Sequence, residues 1–366
     1  MSLLHQIALT QVPQVGAVTA KMLVSYCGSA EAVFHAKKSE LIKIPGIGLT
    51  VVEHLRRADA LALAEREVDF LERHKIEAIF YTDERYPFRL RQCYDCPALL
   101  FFKGSSPQLL TAPRIVAVVG TRQPTEQGKA LCEEIIEGLQ PYNVVIVSGL
   151  AFGIDVAAHR KASSLDIPNV GVLGHGLGSI YPSAHRSTAL RMIENGGLLS
   201  EYISSTKPDR DHFPMRNRII AGLCDALIVV ETGVSGGSVI SAHLANQYER
   251  EVFAVPGRVR DAKSIGCNRL IKNNEARLLE SATDLAEIMG WQENGQSRSI
   301  QAQLFFDLTP REQNLLDIIR QHPEIAVDQL SIAAQWSPGE LAAVILSLEF
   351  KGAVRTLPGK RYIVSG

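Results

Sequence analysis

The sequence predicts an α/β protein built on a doubly wound parallel sheet, and three observations carry this prediction. Two apolar runs rich in β-branched residues, 115–119 and 144–147, each lead into a glycine-bearing turn and then a helical pattern. The same succession of strand, glycine turn and helix recurs through residues 170–255. The runs lack polar alternation, which is typical of strands buried on both faces. We therefore expect an extended Rossmann-like sheet covered by helices.

Residues 1–75 are predicted to be helical, with two similar hydrophobic-Pro-x-hydrophobic-Gly turns at 12–16 and 44–48. Such turns resemble the helix-hairpin-helix module, in which backbone N–H groups meet a DNA phosphate. The first copy has Gln14 where glycine is usual. The alternative is an αα-hairpin used only for packing. Nine Lys/Arg against eight Asp/Glu do not decide between them, so we expect at most a weak contact with duplex DNA.

Residues 76–290 form the predicted Rossmann-like domain, and residues 291–307, polar and then apolar, a linker. The strands of the Rossmann-like domain are predicted at 78–81, 98–103, 115–119, 144–147, 170–173, 198–202, 226–230 and 251–255.

Residues 308–366 are predicted to form a winged helix. Thr309 can cap a helix with Pro310 at its first position. Two more helical patterns, 327–335 and 338–351, precede a hairpin at 353–364. Six Lys/Arg against six Asp/Glu do not favour strong DNA binding, so a docking or regulatory role is at least as well supported.

The composition of the 366 residues is that of an ordinary globular protein, with 46% hydrophobic and 21% charged residues. A formal net charge of -1 excludes a generally basic nucleic-acid coat, so a polyanion site must be local. No apolar run reaches the roughly 18 residues of a membrane span, and the N-terminus lacks a secretory signal. We expect a cytoplasmic protein without membrane contact. The six cysteines, including the close pair Cys93 and Cys96, are interpreted as reduced structural thiols.

Ligands of open α/β sheets bind at the carboxyl ends of the strands. Five small-residue loops are predicted on that edge: Gly120-Thr121-Arg122, Ser148-Gly149-Leu150, Gly174-His175-Gly176, Gly236-Gly237-Ser238 and Gly266-Cys267-Asn268. The segment FPMRNR, 213–218, is expected on the same edge, just ahead of a helix at 219–223. Any single loop can be a turn that needs positive φ. Together with three arginines, the loops predict a phosphate-binding groove.

Eight motifs in this order resemble the DprA (Smf) family of DNA-processing proteins: VAVVGTR, VIVSGLAFGIDVAAH, GVLGHGLGSIYPSAHR, FPMRNRIIAGL, ALIVVE, GGSVISAHLA, EVFAVPGR and GCNRLIK. They cover about residues 85–280, whereas the two flanking regions match the longer family architecture more loosely.

The resemblance implies a protein without enzymatic activity or cofactor that binds single-stranded DNA of any sequence. It also implies protection of incoming DNA, loading of the RecA recombinase during natural transformation, and a homodimer formed through the Rossmann-like domain. In the family the GTR arginine and the FPxRNR segment line the DNA groove. Here Arg122 and Arg218 would neutralise phosphates, and Phe213 would stack on a base.

The residues that we expect to contact DNA come from these loops and motifs. They are Gly120, Thr121, Arg122, Ser148, Gly149, Phe152, Phe213, Arg216, Asn217, Arg218, Gly236, Gly237, Ser238 and Asn268. Phe152 departs from the family, which often has a basic residue there. Either a phosphate contact is lost or an aromatic stacking contact replaces it.

Two enzyme classes are alternatives. The phosphoribohydrolases have a Pro-Gly-Gly-x-Gly-Thr turn followed by a glutamate, but residues 233–238 lack the proline and the acid is missing. Asp155 and His159, four residues apart on a helix, have the spacing for acid–base catalysis, although a structural role is favoured. For a dinucleotide oxidoreductase, the glycines at 174–178 lead into Tyr181-Pro182 instead of a helix, and no acidic residue follows to hold a ribose.

Overall fold

The computed structural model describes residues 2–57, 59–293, 308–322, 324–357 and 359–364. These residues form two compact units, 1–281 and 282–366. Most of the predicted linker lies outside the described residues, and the predicted boundaries near 75, 290 and 307 stay predictions. None of the described helices has both the length and the hydrophobicity that crossing a membrane requires.

The N-terminal region is helical, as predicted. Its helices are α1 (Leu3–Gln11), α2 (Ala17–Cys27), α3 (Ala30–His35), α4 (Lys38–Leu41), α5 (Leu49–Leu55) and α6 (Asp59–His74). Both hairpin turns lie between helices. Gln14 has φ 66° and Gly46 has φ 79°, so the glutamine adopts the left-handed backbone that glycine supplies in the second copy. The two turns therefore share one shape despite the difference in sequence.

A nine-stranded sheet follows, in the order β1-β2-β6-β5-β4-β3-β7-β8-β9. The strands are β1 (Glu77–Phe80), β2 (Leu99–Gly104), β3 (Ile115–Val119), β4 (Val145–Ser148), β5 (Asn169–Leu173), β6 (Gly197–Ser200), β7 (Ala226–Val229), β8 (Glu251–Ala254) and β9 (Arg277–Leu278). Strands β3 to β9 run parallel, and β1 and β2 are antiparallel at one edge. The predicted doubly wound sheet is confirmed, and β9 is an addition to it.

The helices of the sheet region are α7 (Phe88–Arg91), α8 (Glu126–Gly138), α9 (Ile154–Ser164), α10 (Arg186–Asn195), α11 (His212–Leu223), α12 (Gly237–Gln247) and α13 (Ile265–Lys272). Two local predictions were wrong. The FPMRNR segment does not precede a helix but lies inside α11, because Pro214 falls in the first turn, where a missing N–H is tolerated. Residues 266–268 are likewise the start of α13 instead of a loop.

A buried ion pair joins α7 to the residue before β7. Arg89 is 1% exposed, and its Nε lies 2.7 Å from Oδ1 of Asp225. The other two guanidinium nitrogens donate to the carbonyl oxygens of Ala112 and Pro113, each at 2.9 Å. The second carboxylate oxygen accepts from the backbone N–H of Ile115 at 2.8 Å. Both charges are thus hydrogen-bonded, which a buried pair needs in order to be tolerated.

A second buried carboxylate attaches the helical region to the sheet. Glu67 of α6 is 4% exposed. It accepts hydrogen bonds from the backbone N–H of Ser204 at 2.8 Å and from its hydroxyl at 2.6 Å. Ser204 belongs to the loop that follows β6, so α6 is fixed to the sheet by charge-assisted hydrogen bonds.

The second unit contains α14 (Ala282–Met289), α15 (Pro310–Gln321), α16 (Val327–Ala334) and α17 (Pro338–Phe350), with β10 (Ile325–Ala326), β11 (Val354–Leu357) and β12 (Arg361–Val364). The strands pair in the order β10-β12-β11, which confirms the predicted winged helix with one short strand added. Thr309 caps α15 as predicted, in a capping box with Glu312. Glu312 also accepts from Lys351 at 2.8 Å and Ser347 at 2.6 Å.

The stability of the winged helix should depend on pH through Glu312. The hydrogen bond from Lys351, with those from Ser347 and Thr309, lowers the pKa of this carboxyl from 4.5 to about 2. A depressed native pKa stabilises the fold above the unfolded pKa, and this contribution is lost as pH falls from about 4.5 towards 2. Glu312→Gln should lower the melting temperature of the winged helix at pH 7 and flatten its change over that pH window, measured by calorimetry on the full chain. Asp328→Asn, at an exposed carboxylate in the first turn of α16, should change both much less, because such a charge contributes only about 0.3–1 kcal/mol.

Candidate nucleic-acid interface

An open cleft lies where the strand order of the sheet reverses. From β3 the chain proceeds to β4, β5 and β6 on one side, and from β7 to β8 and β9 on the other. The loops after β3 and β7 therefore diverge at the carboxyl edge, the usual position for a ligand in such sheets. A cavity of about 320 Å³ opens there, which we call the switch-point cleft.

The cleft brings together residues from three of the predicted segments. Of the predicted residues it is lined by Gly120, Thr121, Arg122, Arg216, Asn217, Gly236, Gly237 and Ser238. It is also lined by residues that sequence reasoning did not select: Val119, Ala151, Asp155, Ile220, Thr232, Gly233 and Ser241.

Close backbone contacts hold the loops of the cleft together. The N–H of Thr121 donates to the carbonyl oxygen of Glu231 at 2.7 Å, and its carbonyl accepts from the N–H of Ile154 at 3.2 Å. Gly153 has φ 83°, and a Cβ on it would lie 2.2 Å from the carbonyl oxygen of Thr121. Only glycine allows the loops after β3 and β4 to approach this closely.

The N-terminus of α12 faces the cleft. Gly236 is the N-cap of this 11-residue helix, and its first residues, Gly237 and Ser238, line the cavity. The Ser238 hydroxyl donates to Oγ1 of Thr232 at 2.7 Å, which fixes the loop against the helix. The unpaired N–H groups of a first helical turn, with the helix dipole, attract anions.

Arg122 is the exposed arginine of the cleft lining and stands beside aromatic rings. Its guanidinium carbon lies 5.6 Å from the centroid of the partly exposed Phe213 ring, within the range of a cation–π contact. The Phe213 ring lies 6.0 Å from that of Tyr181, which is 49% exposed. A cation and two aromatic faces are thus grouped at the mouth of the cleft. The sequence analysis did not select Tyr181, because its Tyr-Pro pair was weighed only as evidence against a dinucleotide-binding motif.

The expectation that Arg216 lies on the rim as a phosphate-binding cation was wrong. Arg216 is 3% exposed, and one guanidinium nitrogen donates to the carbonyl oxygens of Gly149, at 2.6 Å, and Val172. Burial lowers the pKa of this guanidinium to about 10, an effect that the nearby Asp155 opposes. It forms the floor of the cleft and ties together the ends of β4 and β5, because its side chain points under α11 towards the sheet.

Arg218 also points inward. It is 7% exposed, forms an ion pair with Glu201, and donates to the carbonyl oxygen of Asp95 at 2.6 Å. Burial raises the pKa of Glu201, and the Arg218 charge opposes this rise. Arg218 does not line the cleft, and its guanidinium is buried. It is therefore not exposed to neutralise a phosphate as predicted.

Several other predicted residues have structural roles instead of facing the cleft. Ser148 is buried and donates to the carbonyl oxygen of Val118 at 2.6 Å. Gly149 packs against the guanidinium of Arg216. The side-chain amide of Asn268 exchanges hydrogen bonds with the backbone of Gly257 at 3.1 and 2.9 Å, and so holds the turn after β8. Phe152 is 49% exposed but stands apart, with its ring 4.8 Å from that of His185.

The possible acid–base pair does not assemble a catalytic centre. Asp155 lines the cleft, and burial raises its pKa while Arg216 opposes the rise. His159 is fully buried and bonded through Nδ1 to Asn169 at 2.9 Å, and burial lowers its pKa to about 4. The histidine stays neutral at physiological pH and is not part of the cleft lining.

Cys93 and Cys96 are buried free thiols. Burial raises the pKa of Cys93 to about 11. Among the described residues, no group of three or more His, Cys, Asp and Glu side chains is placed to hold a metal ion.

One known protein family matches the part of the chain that contains both the large sheet and the cleft. The family model of DNA recombination-mediator protein A matches residues 77–290, which include every strand of the large sheet and the whole cleft lining. The chain belongs to this family. A model of the DprA winged helix domain matches residues 302–360, and a SAM-like tandem helix-hairpin-helix model matches residues 7–58.

Two relatives from the DNA recombination-mediator protein A family align with different lengths of this chain. Protein Smf of Synechocystis is 30% identical over 98% of this chain and 98% of its own. DNA processing protein DprA of Streptococcus pneumoniae is 42% identical over 58% of this chain and 73% of its own.

Two solved structures of the same family share the fold. The structure of Streptococcus pneumoniae DprA has a TM-score of 0.61 at 31% identity, over 78% of this chain and 98% of that one. DNA processing protein A of Helicobacter pylori has a TM-score of 0.53 at 28% identity, over 58% of this chain and 94% of that one. The latter structure is described as giving a unique single-stranded DNA binding mode.

Replacing the buried Arg216 should destabilise the protein more than replacing the exposed Arg122. Arg216→Met would leave Asp155 buried without its counter-charge and the Gly149 carbonyl without its donor. Leaving buried polar groups without their partner costs about 1–3 kcal/mol for each group. We expect a loss of that order in the free energy of unfolding from urea titrations. Arg122→Ala, at an exposed position, should cost less than about 1 kcal/mol. Equal losses would contradict the structural role of Arg216.

Proposed function

We propose that this protein binds single-stranded DNA of any sequence in the switch-point cleft, protects it, and presents it to the RecA recombinase during natural transformation. The observation that carries the proposal is the exposed Arg122 guanidinium, 5.6 Å from the Phe213 ring at the mouth of the cleft. Family membership and the described single-stranded DNA binding mode of the Helicobacter pylori relative support the partner class.

The DNA phosphates would be held by the exposed Arg122 side chain and by the backbone N–H dipoles at the start of α12. Arg122 can approach a phosphate bidentately from the rim. The first N–H groups of α12 offer donors deeper in the cleft, beside Gly237 and Ser238. Lys207 and Arg210 are also exposed, in the segment that leads into α11. They are the candidates to replace the cations that Arg216 and Arg218 do not supply.

The bases would stack on the aromatic rings beside the cleft. Phe213 and Tyr181 lie together, and stacking on such rings contributes roughly 1–3 kcal/mol per base whatever the sequence. Phe152 presents an exposed ring, which favours stacking over a simple loss of a phosphate contact at that position. Binding by phosphate contacts and stacking is independent of sequence to first order.

The mechanism needs no covalent step. The strand is held extended and chemically intact, and the buried, neutral His159 supports a site without acid–base chemistry. The protein would act in the cytoplasm as a homodimer through the Rossmann-like domain. The exposed apolar side chains of Val234 and Ile240, on and just before α12, support an interface there. Duplex DNA contact by the helical region, and protein docking by the winged helix, are secondary parts of the proposal.

The proposal is tested by Arg122→Ala in titrations of unstructured oligonucleotides at several salt concentrations. Loss of a charged hydrogen-bonding contact should weaken binding at least about tenfold. The slope of log K against log salt should become shallower by about 0.7, the value for one phosphate of a single strand. The loss should be equal for different sequences, because a phosphate contact carries no base information.

Arg66→Ala is the matched control, since it removes one exposed arginine from α6, away from the cleft. It should leave affinity and salt slope unchanged. Unchanged affinity in Arg122→Ala would remove the assignment of the cleft to single-stranded DNA.

A further inference from the structure

A second cleft opens on the same edge of the sheet, next to the switch-point cleft. It lies between the start of α8, the end of β7 and the loop after β8, and its volume is about 550 Å³. This is within the range of roughly 300–1,000 Å³ for pockets that enclose small organic molecules. We call it the β7–β8 cleft.

Its lining combines apolar walls with hydrogen-bond acceptors. Leu131 and Val255 supply apolar surface, and Gln127, Glu231, Arg258 and Asp261 supply polar groups. Such a mixture of apolar surface and a few convergent polar groups is typical of sites for planar heterocycles and other small molecules.

The charge of Glu231 excludes an anion from this cleft. The carboxylate is 8% exposed and caps α8, where it accepts from the Thr125 N–H at 2.9 Å and from the Thr125 hydroxyl at 2.5 Å. A helix start that would attract a phosphate is thus already neutralised. Each carboxylate oxygen retains a lone pair, so the preferred ligand is uncharged and donates hydrogen bonds.

The two clefts share a wall one layer of backbone thick. Thr121 and Thr232 line the switch-point cleft, whereas Glu231 lines the β7–β8 cleft. The Thr121 N–H donates to the Glu231 carbonyl, and the Thr232 N–H donates to the carbonyl of Lys263, both at 2.7 Å. The Lys263 ammonium donates to the carbonyl of Gln123 and so closes the wall from above. A strand held at Arg122 therefore has the β7–β8 cleft directly beside its path.

We infer that the β7–β8 cleft is a nucleobase subsite for an unstacked base of the bound strand, selective for bases that carry an exocyclic amino group. Adenine, cytosine and guanine can donate from that group to Glu231 or Asp261, whereas thymine offers one ring N–H between two carbonyls. The exposed Arg258 at the mouth is placed to meet the phosphate of the same nucleotide. The inference rests on the proposed function and adds a base preference to otherwise sequence-independent binding.

The test compares 12-residue oligo(dC) and oligo(dT), both unstructured, in fluorescence-anisotropy titrations of the full chain. The native protein should bind oligo(dC) about fivefold more tightly, the ratio expected for one additional hydrogen bond. Gln127→Trp, at an exposed position of the lining, should fill the cleft and reduce the ratio to about one. Asp261→Ala should reduce it without filling the space, because it removes the side-chain acceptor. Ala130→Trp, exposed on the same helix outside the lining, should keep it.

The failure of this inference is distinct from the failure of the proposed function. Equal affinities of the native protein for the two oligonucleotides, or an unchanged ratio in Gln127→Trp, would overturn the subsite and leave the switch-point cleft untouched. Arg122→Ala should weaken both oligonucleotides and keep their ratio. Free deoxycytidine monophosphate should bind far more weakly than oligo(dC) in calorimetry, and equal affinity would identify a site for free nucleotides instead. An absence of binding to both oligonucleotides would refute the proposed function itself.

Discussion

A single buried guanidinium determines how the carboxyl edge of this sheet is built. Arg216 reaches from α11 to the carbonyl oxygens of Gly149 and Val172, at the ends of β4 and β5. Both carbonyls lie beyond the last β4–β5 pair, Ser148 with Gly171, and buried carbonyl groups need a hydrogen-bond donor. The guanidinium satisfies them, and Asp155 offsets its charge. Without it the floor of the switch-point cleft would leave these carbonyls without their donor.

This arrangement uses both arginines of the segment 213–218 for support and leaves the contact to another loop. Arg216 and Arg218 are used inside the protein, so the exposed charge at the cleft comes from Arg122 on another loop. A nearly neutral chain can hold a polyanion in this way, because the positive potential is concentrated at one edge instead of spread over the surface. The helix dipole of α12 adds to the potential without adding a titratable group.

The sequence carried enough information for the sheet and for the location of the cleft. Buried runs such as 115–119 can only be central strands, and the glycine turns after them mark the edge where ligands bind. The direction of the side chains in 213–218 was not available from the same pattern. It depends on which face of α11 packs on the sheet, and the helix was predicted at 219–223 although it begins at His212. Asp155 carried a usable signal, an acidic residue in the first turn after a glycine, but it was weighed as a catalytic or structural residue and not as part of the cleft lining.

The bond between Glu67 and Ser204 has a consequence for how the helical region can behave. The buried carboxylate of α6 accepts two hydrogen bonds from the loop after β6, so a swing of α6 as a hinged arm would have to break both of them. The two hairpin turns thus keep a constant bearing relative to the sheet. If duplex DNA contacted these turns while single-stranded DNA lay in the cleft, the angle between the two would be fixed, as at a junction between paired and unpaired DNA.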